Sequence, residues 1–254
     1  SLDVVMALAA CMRLYQLPSL PPGLHPDEAA NGLDVFRILS GDVRAFYSTN
    51  GGRESLFFMF QSLGVLAFDN TILGLRIAPA VLGTLAVGAV YLWGASWFGR
   101  RVGLIAAFFM AVSPWAITIS RDGFRAGMIM LILPLTLWLG ARAFQTGKNY
   151  WFVLTGIAFG SGFYTYIAYR MFPLALLAMA LFVLIFWRGA IKQWWRKIAL
   201  AALACAVVLI PLGIYAVQKP GDIAGRPGGV SVLNPDINKG KPLQTFADST
   251  IKTA

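Results

Sequence analysis

Long apolar stretches alternate with short polar segments along most of the chain. Crossing the hydrocarbon core of a bilayer takes about 20 residues. The stretches close to or above this length are Ile72–Phe98, Val102–Ile119, Ala126–Phe144, Trp151–Ile167, Met171–Trp187 and Ile198–Val217. A further stretch, Leu2–Leu17, is interrupted by Arg13. The pattern predicts an all-α polytopic membrane bundle with about seven transmembrane helices.

Two further segments have a helical pattern but are too short to span. Leu56–Phe68 is apolar on nearly all sides, and placing it across the membrane would move every later loop to the opposite side. In Asp27–Leu39, the residues Ala29, Leu33 and Phe36 recur at helical spacing while the charged residues point elsewhere. We therefore predict two short interfacial helices in the first external loop.

The two ends of the chain indicate how it is organised. Leu2–Leu17 starts without a methionine and lacks the small-residue cleavage site of a signal peptide, so we interpret it as the end of a truncated first helix. A polar segment rich in Pro, Gly and Asn follows Val217. We interpret residues 1–217 as the N-terminal part of a transmembrane domain. Residues 218–254 would form an extracytoplasmic loop or the start of a further region.

Composition and charge agree with a membrane location. Hydrophobic residues make up 58% of the chain and charged residues 13%, which is too few for the polar surface of a soluble domain. The basic residues of the short connections fall in alternate loops and are Arg100, Arg101, Arg142, Lys148, Arg188, Lys192, Arg196 and Lys197. Loops rich in Lys and Arg are expected on the cytoplasmic side.

The acidic residues then fall almost entirely on the other side. Apart from Asp3 they are Asp27, Glu28, Asp34, Asp42, Glu54, Asp69, Asp122, Asp222, Asp236 and Asp248. Membrane topology therefore explains most of the net charge of +10, and because the bases form no dense patch with interleaved aromatics, we predict no nucleic-acid binding. The single histidine, His25, and the two cysteines, Cys11 and Cys205, indicate neither a histidine cluster nor a disulfide framework.

The adjacent carboxylates Asp27 and Glu28, in "LHPDEAANGLDVFRI", have two interpretations. Proline followed by acids is an ordinary helix start, because proline has no N–H to satisfy and the carboxylates complement the positive end of the helix dipole. Ionisable groups at a membrane surface, in a chain with few charges, are also candidates for function. The residues alone leave both interpretations open.

Several short motifs follow one another on the predicted outer side. "HPDEAANG" opens the first external loop, and "GGRESLFFMF" carries Arg53 before the second interfacial helix. "LGLRIAPAVLGTL" with Arg76, "ISRDGFRAGM" and "FYTYIAYRMFPL" come next. Their order resembles the GT-C class of membrane glycosyltransferases, in the polyprenyl-phosphate-sugar-dependent group of protein O-mannosyltransferases and aminoarabinose transferases of lipid A. The resemblance covers most of residues 11–175, but Glu54 and Ser55 stand where that family has two prolines after its basic residue.

This resemblance implies an inverting sugar transfer and a set of site residues. Asp27 would take the proton of an acceptor hydroxyl as that oxygen attacks the sugar from the face opposite the leaving group. Glu28 points about 100° away on a helix, so it would pair with an arginine or orient the acceptor. The leaving lipid phosphate needs positive charge. The arginines on the outer side that could supply it are Arg53, Arg76, Arg121, Arg125 and Arg170.

Several of these residues also have structural interpretations. Arg76 could reach the headgroups from within an apolar run, and Arg121, Asp122 and Arg125 could form a self-compensated turn. Asp122 and three tyrosines are candidate sugar or acceptor contacts, although tyrosines in such a position more often form an interfacial aromatic belt: Tyr164, Tyr166 and Tyr169. The sequence requires no cofactor. Hard oxygen ligands for a divalent metal are present in Asp27, Glu28 and Asp122, but their spacing does not demand a metal.

We predict an integral membrane enzyme of the plasma (inner) membrane. It would transfer one sugar from a polyprenyl-phosphate donor to a lipid, glycan or protein acceptor on the extracytoplasmic side. A transporter or flippase of a lipid-linked substrate is one alternative, since such proteins also carry charged residues in helical bundles. A glycan polymerase or an oligosaccharide transferase on the same fold is another.

Thiol labelling tests the predicted topology. In a variant that lacks the native cysteines, a cysteine at Gly41 or Asn50 should react with an impermeant reagent added from outside, because both positions lie in the first external loop. A cysteine at Gly147 or Gln193 should not react. Labelling of positions 41 and 147 from the same side would contradict the assignment of the loops.

Overall fold

The computed structural model describes residues 1–49, 52–186, 188–223, 238–241 and 243–245. The helices are α1 (Leu2–Leu14), α2 (Pro26–Leu39), α3 (Leu56–Phe68), α4 (Ile72–Phe98), α5 (Arg100–Val112), α6 (Pro114–Arg121), α7 (Gly127–Thr146), α8 (Asn149–Gly162), α9 (Phe172–Phe186) and α10 (Arg188–Gln218), with a 3-10 helix at Ile167–Met171. Two short strands, β1 (Phe46–Tyr47) and β2 (Arg53–Glu54), form an antiparallel hairpin. Outside the described part lie Asn50, Trp187, Asp236, Asp248 and the side chains of Arg188 and Lys192.

The predicted all-α fold is confirmed, whereas the predicted number of about seven spans is not. Among the described residues, the helices long and apolar enough to cross a membrane are Ile72–Phe98, Gly127–Thr146, Ile167–Phe186 and Gln193–Gln218. Counting the bent pair α5 and α6 as one span gives up to 5. Helices α1 and α8 have 13 and 14 residues, fewer than the roughly 20 of a full-length span. By length and composition, the described helices therefore provide four to five candidate spans.

The apolar stretch Val102–Ile119 is not one straight helix. Its two halves, α5 and α6, are bent by 57° at Ser113. The following residue, Pro114, has no backbone N–H, so the carbonyl of Met110 loses its helical donor. The buried Arg13 of α1 supplies a replacement, with its Nη2 3.1 Å from Met110 O. This contact explains an arginine inside an apolar helix.

Helix α2 buries several polar side chains and exposes several apolar ones. Glu28, Asn31 and Asp34 are at most 3% exposed, whereas Leu33 and Phe36 are 64% and 41% exposed. A helix on the surface of a soluble protein has the opposite arrangement. The observed one suits a helix that lies between a polar site and lipid, and its position in the membrane interface stays a prediction.

Helix α3 packs between α2 and α4. Phe57, Phe58 and Val65 of α3 are buried in one cluster with Val35 of α2 and Leu75 of α4. Close van der Waals packing among these side chains fixes α3 against both neighbours. Hydrophobic packing therefore holds α2 and the hairpin at the end of the bundle where α4 begins.

Candidate functional site at one end of the helical bundle

Helix α2 begins with a capping box. The Nδ1 atom of His25 accepts a hydrogen bond from the backbone N–H of Asp27 at 3.2 Å, and the carboxylate of Glu28 accepts one from the N–H of His25 at 3.4 Å. The His25 ring packs against Phe124, with centroids 5.3 Å apart. The structure thus shows a helix-start role for the Glu28 carboxylate, while Asp27 contributes its backbone N–H. The capping box holds the first turn of α2 in place.

Glu28 and Arg76 form a fully buried ion pair. Both side chains are 0% exposed, and Nε and Nη2 of Arg76 lie 2.6 and 2.9 Å from the two carboxylate oxygens. Arg76 also donates to the backbone carbonyls of Leu17, Pro21 and Gly23. An arginine has five N–H donors, so this set of acceptors accounts for all of them.

This geometry revises the expectation that Arg76 binds a phosphate. Its donors are occupied by protein acceptors, and it is not among the residues that line the cavity described next. Of the two sequence-based alternatives for Glu28, the structure shows the one in which it pairs with an arginine.

A cavity of about 230 Å³ brings several other predicted residues together. Its lining consists of Asp27, Asn31, Arg53, Phe124, Arg125, Ala126 and Tyr166. Asp27, the neighbour of the buried Glu28, has an exposed side chain. The structure thus places one available carboxylate and two arginines around a single space.

Arg53 ties the hairpin to α2. It is 2% exposed, and its Nη1 donates to Asn31 Oδ1 at 3.1 Å and to Asp34 Oδ2 at 3.2 Å. Asn31 in turn donates to the carbonyl of Gly123 at 3.0 Å. The Nε atom of Arg53 is buried and has no hydrogen-bond partner among the described residues. This nitrogen is therefore an unsatisfied buried donor in the described structure.

Arg125 is held between a carboxylate and two aromatic rings. Its Nη1 lies 3.1 Å from Glu54 Oε2, and its guanidinium carbon lies 5.8 Å and 5.7 Å from the ring centroids of Phe58 and Tyr166. The other oxygen of Glu54 is 3.4 Å from Nη2 of Arg170. Contacts on several sides fix the direction of a side chain that would otherwise have many rotamers.

Arg121 and Asp122 do not line the cavity. Arg121 donates to backbone carbonyls of the last turn of α1 and of the segment that follows it, with distances of 3.0 Å to Met12 O and 2.8 Å to Leu20 O. It therefore joins α6 to α1. Burial raises the pKa of the Asp122 carboxyl, and the positive charge of Arg76 opposes that change in part.

The three predicted tyrosines have different surroundings. Tyr166 lines the cavity. Tyr169 is 1% exposed and belongs to the hydrophobic core. The hydroxyl of Tyr164 donates to Val208 O at 2.7 Å and accepts from the N–H of Leu212 at 3.1 Å, so it occupies a hydrogen-bond position within α10. In this structure Tyr166 alone of the three faces the space beside Asp27.

The predicted metal ligands do not gather at one point. In the part of the chain that the structure describes, no group of three or more His, Cys, Asp or Glu side chains could hold a metal ion. Both oxygens of Glu28 contact Arg76.

Three polar residues in or next to the cavity lining were not predicted from the sequence: Asn31, Asp34 and Glu54. The first two follow Asp27 at i+4 and i+7, a polar stripe at helical spacing that could have indicated them. Glu54 departs from the prolines of the resembling family, and that departure was the available signal.

Long apolar helices and a polar cavity at their ends define an integral membrane protein with its candidate site at one end of the bundle. The chain belongs to the dolichyl-phosphate-mannose-protein mannosyltransferase family, whose sequence model matches residues 55–215, so the predicted resemblance is confirmed. It is also similar to the putative mannosyltransferase YkcB of Bacillus subtilis (strain 168), with 30% identity over 181 residues. That match covers 70% of this chain and 24% of the relative, so the chain spans about a quarter of the relative's length.

The Glu28–Arg76 pair yields a stability prediction. Arg76→Gln leaves a buried carboxylate without its cation, which should lower the free energy of unfolding by about 3 to 5 kcal/mol. Thermal unfolding of the full-length protein in detergent measures this loss. As a control, Arg44→Gln removes an exposed ion pair with Asp42 and should change stability little. Normal stability with weakened donor binding in Arg76→Gln would restore the phosphate-ligand interpretation.

Proposed function

We propose that this chain holds the donor site of a glycosyltransferase that moves a sugar from a polyprenyl phosphate carrier to the hydroxyl of a lipid, glycan or protein acceptor. The observation that carries the proposal is that Asp27, Arg53 and Arg125 line one cavity. A proton acceptor and a cationic phosphate site are the two elements that such a transfer needs. The family name, which specifies a dolichyl-phosphate-mannose donor, supports this class of donor.

Asp27 is the proposed general base. Its side chain is exposed at the cavity, whereas the neighbouring Glu28 is bound to Arg76 through both oxygens. The acceptor hydroxyl gives its proton to Asp27 while its oxygen forms a bond to the anomeric carbon. The bond from that carbon to the phosphate oxygen breaks on the opposite face, and its electron pair stays on the phosphate. The configuration of the sugar is inverted.

Arg53 and Arg125 are the proposed phosphate ligands. The lipid phosphate gains negative charge as it leaves, and because its last proton has a pKa of about 6, it departs without a general acid. Arginine can bind two phosphate oxygens at once through parallel N–H groups. In a site of low dielectric constant such preorganised donors stabilise the developing charge strongly.

The proposed site faces the extracytoplasmic side of the plasma (inner) membrane. The cavity lies beside the start of α7 and the segment that follows α8. The opposite ends of α7 and α8 are joined by a loop rich in basic residues. The carbonyl of Gly147 in this loop accepts a hydrogen bond from Lys197 of α10. Loops of this composition favour the cytoplasm. A polar site confined to one end suits transfer at the surface better than transport, which needs a path between both faces.

Asp27→Asn separates catalysis from the helix start. The substitution keeps the size and much of the hydrogen bonding of the side chain but removes the proton acceptor, so turnover should fall by about two to four orders of magnitude. Binding of the lipid-linked donor should be largely retained. Kinetics of the full-length enzyme measure both. Asp42→Asn, in the same external loop, is the matched control and should leave turnover unchanged. A fully active Asp27→Asn enzyme would remove the base from this mechanism.

Arg53→Gln should weaken donor binding far more than it lowers stability, and Arg53→Lys should restore binding only in part, because lysine cannot make paired hydrogen bonds to phosphate. Donor titration and thermal unfolding, measured on the same samples, separate the two effects. Arg37→Gln is the control, since Arg37 is the exposed partner of the same Asp34 carboxylate. Equal donor affinity in Arg53→Gln and wild type would show that Arg53 serves the fold alone.

A further inference from the structure

Glu54 is a buried carboxylate at the point where two arginines meet. It is 2% exposed, and its oxygens lie 3.1 Å from Nη1 of Arg125 and 3.4 Å from Nη2 of Arg170. In the hairpin it is paired with Phe46, so its backbone position is fixed by the strands. A buried carboxylate is stable only when it is paired and hydrogen-bonded, and these contacts meet that condition.

The two side chains of β2 serve different parts of the site. Successive residues of a strand point to opposite faces. Arg53 contacts Asn31 and Asp34 of α2, while Glu54 contacts Arg125 before α7 and Arg170 in the 3-10 helix. Glu54 is therefore the link between the hairpin and the arginine that forms the opposite side of the cavity.

Arg125 needs such a link to face the cavity in one conformation. An arginine side chain has large rotamer entropy, part of which is lost when a ligand orders the side chain. The rings of Phe58 and Tyr166 restrain the guanidinium plane, and the Glu54 carboxylate sets its direction. Ordering the side chain before a ligand arrives raises affinity, because binding no longer has to impose that order.

We propose that Glu54 is a positioning residue for the donor phosphate. It acts through Arg125, whose guanidinium it holds towards the cavity, and it couples that arginine to Arg170. This inference rests on the proposed function for the identity of the anion. Its geometric part concerns the orientation of Arg125 and can be tested without any donor.

Glu54→Asp is the decisive variant because it keeps the negative charge and shortens the side chain by one methylene. The shorter carboxylate cannot reach both arginines from the same backbone position. Binding of polyprenyl phosphate to the full-length protein should weaken roughly tenfold, the effect of releasing one or two ordered side chains. Donor KM should rise by a similar factor, with a smaller change in kcat. If Glu54 were only a counter-charge, Glu54→Asp would bind like wild type, and the proposal would be wrong.

A double-mutant cycle checks that Glu54 acts through Arg125. In an Arg125→Lys background, Glu54→Asp should cause little further loss of polyprenyl phosphate binding, because the side chain it orients is already replaced. Full additivity of the two losses would overturn the proposal. Asp42→Glu changes the length of another carboxylate of the same loop, one that pairs with Arg44, and is the matched control.

Chemical labelling separates failure of this proposal from failure of the proposed function. Phenylglyoxal modification of Arg125, followed by mass spectrometry, should be faster in Glu54→Asp than in wild type, whether or not a lipid binds. Glu54→Gln, which keeps the length of the side chain but only one acceptor oxygen, provides the same readout if Glu54→Asp does not fold. Faster labelling in a protein that binds no polyprenyl phosphate would uphold the positioning of Arg125 and reject the donor class. Unchanged labelling in the folded variants would reject the positioning role itself.

Discussion

The ion pair between Glu28 and Arg76 is the constraint on which the geometry of the site depends. Removing two charges from water is unfavourable unless the pair is close and every remaining donor has an acceptor. Arg76 meets this condition by donating to carbonyls of the segment between α1 and α2. The pair thus joins α2, α4 and that segment in one unit. Its position determines where the first turn of α2 places Asp27, whose side chain points in another direction.

The arginines divide according to whether they line the cavity. Arg13, Arg76 and Arg121 donate to backbone carbonyls at a helix end or break, or in the segment between α1 and α2. Arg53 and Arg125 pair with carboxylates and also line the cavity. The first group connects helices, and the second presents positive charge to a space that a ligand can enter. The arginines of both groups are paired with protein acceptors, but those of the second group also lie beside the cavity.

The hairpin connects α2 with the elements on the other side of the cavity. One face of β2 joins α2 through Arg53, and the other joins the 3-10 helix and the start of α7 through Glu54. Elements far apart in the sequence are thereby held around Asp27. The proposed chemistry depends on this arrangement, because a base and a phosphate site act on the same substrate only if both are held at the correct distance and orientation.

The sequence by itself determined the all-α membrane fold, the helix start before Asp27 and the family resemblance, because apolar length, proline position and motif order are local properties. It also indicated that arginines accompany the acidic pair. Only the tertiary structure decided that Arg76 belongs to the fold while Arg53 and Arg125 line the cavity. It also decided that one apolar stretch breaks at Pro114. The physical reason is that a buried arginine must find up to five acceptors, and these come from segments distant in sequence that only folding brings together.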